Sequence, residues 1–123
     1  MTTLDPSLAR AIVLKTMFHP QPLRRCQAAI IYAALLGGDF TADEVLCGEL
    51  TNGDTKISGL AIASLASARL IQCVGRCKSP AASRNGARVN IWRIAISKYN
   101  TALTWLERNG LPNPEPRQLE LLA

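Results

Sequence analysis

The chain has 123 residues, 48% hydrophobic and 19% charged, with a formal net charge of +5. That length supports one hydrophobic core rather than two, and that composition excludes a disordered polar chain. The longest apolar stretch, Ala28 to Leu36, falls far short of the roughly 20 residues that span a bilayer; the first residues carry no basic segment followed by an apolar one, so a soluble, cytoplasmic protein is expected.

In chain order, Asp5-Pro6 opens a helix predicted to run to Phe18, with Leu8, Ala11, Ile12 and Lys15 on one face and proline suited to the first turn. His19-Pro20-Gln21-Pro22 breaks it, because proline lacks a backbone donor and disfavours helix in the residue before it. From Leu23 to Leu36, Cys26, Ala29, Ile30 and Ala33 form one face, and Leu23, Ile31, Ala34 and Leu35 nearly complete the circumference. Such a helix packs on more than one side. Gly37-Gly38 stops it. Thr41 can cap a short helix from Ala42 to about Leu50, with Glu44 three positions on as capping-box partner. Thr51-Asn52-Gly53-Asp54 is a turn.

The next helix is predicted over Lys56 to Ala68, with Ile57, Leu60, Ala61, Ser64, Leu65 and Ala68 as its core stripe. Its other face holds Lys56, Ser58, Gly59, Ile62, Ala63 and Ser67, all small except Lys56 and Ile62, which suits close approach to a partner. Ile71 to Lys78 and Arg88 to Ile94 are predicted strands, the second with Val89 and Ile91 inward and Arg88 and Asn90 outward. The polar loop from Ser79 to Gly86 joins them into a hairpin with a basic tip. A last helix spans Ser97 to Asn109, with Tyr99, Leu103 and Leu106 along one side. Gly110 and Pro112 end it, and a tail follows.

Charge is segregated along the chain. Residues 39–54 hold five acids and no cation, whereas 55–106 hold eight cations and no acid. A long block of one sign repels itself, which a fold tolerates most readily when a polyanion meets one face.

The cysteines Cys26, Cys47, Cys73 and Cys77 are expected to be free thiols. On a flat strand Cys73 and Cys77 would share a face about 13 Å apart, at a rise of roughly 3.3 Å per residue. That is too far for one metal, and the single histidine, His19, sits between Phe18 and Pro20. No metal or cofactor is expected. Nor is catalysis: the lone histidine has no partner arrangement for general-base work, and no Gly-rich phosphate loop precedes a lysine.

Helix, short helix, turn, helix, strand, basic loop, strand is the order of a winged helix-turn-helix domain. Leu65-Ala66-Ser67-Ala68-Arg69-Leu70-Ile71 resembles the stretch closing the recognition helix in that superfamily. Phe40-Thr41-Ala42-Asp43-Glu44-Val45 resembles the entry to its second helix, and Val89-Asn90-Ile91-Trp92-Arg93 the returning wing strand of small bacterial and phage members. The resemblance covers Leu23 to Ala95. It implies a mainly α fold with a small β-hairpin (α+β): an N-terminal helix and linker over 1–22, a winged-helix domain over 23–95, a C-terminal helix over 96–111 and a tail over 112–123.

The resemblance further implies binding to double-stranded DNA by a transcriptional regulator or replication accessory factor. The third core helix would present Thr55, Lys56, Ser58, Gly59 and Ile62 to the major groove. That face carries no Arg, Gln or Asn to read base edges in bidentate fashion, so Arg76, Lys78, Arg84 and Arg88 would supply mostly phosphate contacts. Arg84, beside Asn85-Gly86 at the tip, suits a narrow minor groove. The alternative is a winged helix used as a protein-interaction module. A homodimer is expected from the flanking helices, through Leu8 and Ile12 in one and Tyr99, Leu103, Trp105 and Leu106 in the other.

Overall fold

The computed structural model of the chain describes residues 6–17, 19–36, 38–45, 50, 55–78 and 88–111. Its elements are α1 (Pro6–Thr16), α2 (Pro22–Leu36), a 3-10 turn (Ala42–Val45), α3 (Thr55–Ser67), β1 (Ile71–Lys78), β2 (Arg88–Ile94), a second 3-10 turn (Ile96–Lys98) and α4 (Tyr99–Arg108). The fold is mainly helical with one two-stranded antiparallel sheet. No helix among the described residues is long and apolar enough to cross a membrane.

The long apolar run of α2 makes it the centre of the molecule: every residue from Cys26 to Ala34 is buried. Residues of α1, α3, α4 and the hairpin base join it in one core. The buried face of α1 is Leu8, Ala9, Ile12, Val13 and Thr16, rotated from the expected one, so that Ala11 and Lys15 are only half-buried. The Thr16 hydroxyl enters that face because it donates back to the Ile12 carbonyl at 2.9 Å. Burial pushes the Tyr32 phenol up to about 12.

The segment after Thr41 corrects the expected α-helix at its start. Ala42–Val45 is a 3-10 turn, Leu50 is helical and fully buried, and residues 46–49 lie outside the described set. Phe40 forms a bridge with Trp92 of β2, its N–H donating at 3.0 Å and its carbonyl accepting at 2.8 Å.

Helix α3 is rotated from the predicted stripe. Ala61 and Leu65 reach the core, and Ile62 and Ala66 pack against it, whereas Leu60 is 59% exposed and Ser64 and Ala68 face outward. The helix ends in a Schellman motif: the Arg69 N–H donates to the Ala66 carbonyl and the Leu70 N–H to that of Leu65, both at 3.0 Å. Arg69 takes a φ of 62° there. The same motif closes α4, where Gly110 has the left-handed backbone at 73° and Leu111 donates to Leu106 at 2.9 Å. Arginine pays a steric cost at such a position that glycine does not. Arg69→Gly should therefore hold or raise stability, by up to roughly 1 kcal/mol, less the entropy glycine adds to the unfolded chain. Urea unfolding measures it, and a loss above that size would contradict the capping account.

The strands fall at Ile71–Lys78 and Arg88–Ile94 as the sequence predicts, and residues 79–87 lie outside the described set. The register runs Ile71↔Ile94, Gln72↔Arg93, Cys73↔Trp92, then Gly75↔Ile91, leaving Val74 extra on β1. This β-bulge shifts parity by one residue. Cys73 thus shares the side of Trp92, and Cys77 that of Val89 and Ile91, which corrects the expected common face. At the base the core-packed residues of β2 are Trp92 and Ile94, the parity opposite to that predicted. In α4 the buried residues are Ala102 and Leu106, with Tyr99 exposed.

Candidate nucleic-acid interface

The bulge decides where the hairpin cations go. Beyond it, Arg76 pairs with Asn90 and Lys78 with Arg88, at positions of the same parity as Trp92. Arg76 is exposed and its Nε donates to the Asn90 Oδ1 across the strands at 3.0 Å, which orients the guanidinium fork. Asn90, expected only as an outward strand residue, is the group that orients it. Lys78 stands opposite Arg88 in the register. Arg84 and Asn85 lie outside the described residues.

On α3, Lys56 and Gly59 are exposed and Ser58 is half-buried. Thr55 is the first helical residue. Ile62 is corrected: it packs against the core, because the helix is rotated to bury Ala61 and Leu65. Leu60, Ala63, Ser64 and Ser67 are exposed instead. The helix is steadied from below by Gln27 of α2, a buried amide that donates from Nε2 to the Ser64 hydroxyl at 2.8 Å. Gln27 in turn accepts from Arg24 at 2.9 Å, and the Arg24 guanidinium lies 6.0 Å from the Trp105 ring centroid, a cation–π distance.

Arg93 does not belong with the other hairpin cations. Its guanidinium forms a bidentate pair with Asp39, at 2.7 and 2.8 Å. The hydrogen bond from Arg93, followed by its charge, holds the Asp39 carboxyl below its ordinary range. A depressed carboxyl contributes stability that is present above its unfolded pKa, here about 3.8, and lost as pH falls through the folded value. Asp39→Asn should therefore be slightly less stable than wild type at neutral pH, the difference being small because the exposed pair is screened, and the two proteins should converge as pH falls through the folded Asp39 value. Urea unfolding followed by circular dichroism at several pH values reads this; a difference that widens in acid would contradict it. The pair was not legible in the sequence, since Asp39 and Arg93 stand 54 residues apart.

No family model, curated protein or solved structure matches the chain.

The expected dimer residues divide. Leu8, Ile12 and Leu106 are buried in the chain's own core, and Trp105 packs against it. Leu8, Ile12 and Leu106 are corrected, since the chain's own core uses them, while Trp105 is half-buried against it. Tyr99 is exposed and Leu103 half-buried, beside Ile96, which is 89% exposed. Among the described residues no group of three His, Cys, Asp or Glu is placed to hold a metal ion.

Proposed function

We propose that the protein is a winged helix-turn-helix protein that binds duplex DNA, with α3 against the major groove and the β1–β2 hairpin as a basic wing on the backbone. Its role is that of a transcriptional regulator or a replication accessory factor. The observation that carries the reading is the register past the Val74 bulge, which puts Arg76, oriented by Asn90, in series with the Lys78↔Arg88 pair. The element order from α2 through the hairpin, with Phe40 bridged to Trp92 as a short third edge, supports it. Exposed Gly59, Ala63 and Ser67 on α3 suit close approach to a groove but supply no bidentate base reader. Affinity then comes mainly from phosphate contacts, with little discrimination between sequences.

An electrophoretic shift on arbitrary duplex tests this. Arg84→Ala should weaken binding by about 1 kcal/mol, and Lys98→Ala, at the start of the last helix, should weaken it less. Equal effects or the reverse order would contradict the wing reading. The 59% exposure of Leu60 on α3 favours a second reading, a protein-interaction module; in that case no duplex shifts at low salt. A homodimer through the flanking helices has Leu14 and Met17 at α1 and Ile96, Tyr99 and the half-buried Leu103 at α4 as its apolar contact. Light scattering should then give twice the 13.3 kDa chain mass.

A further inference from the structure

An open groove of about 510 Å³ lies where the end of α3, the hairpin base and the second 3-10 turn meet. Arg69, Gln72, Trp92, Ser97 and Lys98 are among the residues that line it, and no carboxylate is. Its size is that of small-molecule sites and far below what a duplex needs. Among the described residues neither Arg69 nor Lys98 has an ion-pair partner. Arg69 sits at the one non-glycine position of positive φ in the described chain, where glycine would be the less strained choice. Arg69 thus occupies a strained backbone position, and strained positions tend to mark binding sites.

The carbonyls at the end of α3 would repel an anion if left open. Three of the last four are not: the N–H groups of Ala68, Arg69 and Leu70 occupy those of Ser64, Ala66 and Leu65. Two cationic residues, a serine and a glutamine thus line the same groove as a tryptophan.

We propose that this groove binds a small aromatic anion of the nucleoside monophosphate class. Arg69 and Lys98 take the phosphate, with the Ser97 hydroxyl as a further donor, and Trp92 stacks on the base. Because α3 and β1 share the groove wall, an occupant bears on how the hairpin sits against α3. The inference stands apart from the DNA-binding reading, since its test contains no requirement for DNA.

Trp105→Phe leaves Trp92 as the single tryptophan, and its emission reports the groove. Titration with adenosine monophosphate should quench that emission saturably, while adenosine alone binds at least tenfold more weakly for want of the phosphate. Arg69→Gly, which keeps the backbone turn, and Lys98→Gln should each weaken the monophosphate about tenfold with thermal melting showing an intact fold. The proposal is overturned if the monophosphate does not quench at millimolar concentration, if adenosine binds equally well, or if Arg69→Gly binds like wild type. It is also overturned if duplex DNA quenches Trp92 as strongly as the monophosphate, which would make the groove a DNA contact.

Discussion

Phe40→Ala should lower the stability of the folded chain by about 4 kcal/mol, the size typical of a phenylalanine removed from a packed interior. The Phe40 ring is fully buried, and its backbone is the bridge that ties the segment after α2 to Trp92 at the hairpin base. Truncation opens a cavity under that bridge without removing the two backbone hydrogen bonds. The urea midpoint should fall with its slope nearly unchanged, and the Trp92 amide should exchange faster than amides of α2. A loss below about 1 kcal/mol would mean that the ring is not in the core.

Leu106→Ala should cost about 3 kcal/mol, and the same amount at every protein concentration. Leu106 is fully buried within the chain, and its carbonyl accepts the Leu111 N–H that closes α4. For a chain of this size that loss is a fall in Tm of roughly 10 °C. Had α4 used Leu106 to hold a twin chain, unfolding would vary with concentration by mass action. Melts over a hundredfold dilution separate the two cases. A Tm that climbs with concentration in wild type and not in the variant would return Leu106 to a dimer interface.

Where side-chain size fixes the answer, the sequence was legible. A run such as Ala28 to Leu36 can only be central, and all of it but Leu35 and Leu36 is fully buried. The strands were bounded by their own chemistry, β-branched residues and a turn loop, and both fall where expected. Rotation of α3 was not legible, because its Ala, Ser and Gly residues give the helix almost no preferred side; packing of Ala61 and Leu65 chose it. Nor was the parity of the hairpin. A single extra residue, Val74, exchanges the two sides of everything beyond it, and nothing in the local pattern marks it. The apolar residues of α1 and α4 read equally well as dimer or core; only contact with α2 decides between them, and Leu8, Ile12 and Leu106 went to the core. Arg69 and Lys98, about 30 positions apart, line one groove because the end of α3 and the second 3-10 turn meet at the hairpin base.

The central claim is that the cations of the hairpin and α3 meet the phosphates of duplex DNA. The measurement that tests it most directly is affinity for an arbitrary duplex as salt is raised. Of the eight cations between 55 and 106, Arg93 is engaged by Asp39 and two line the groove, which leaves about five to displace counterions. Log affinity should then fall against log salt with a slope of roughly −4 to −5. A slope near zero, or no binding at low salt, would contradict the account.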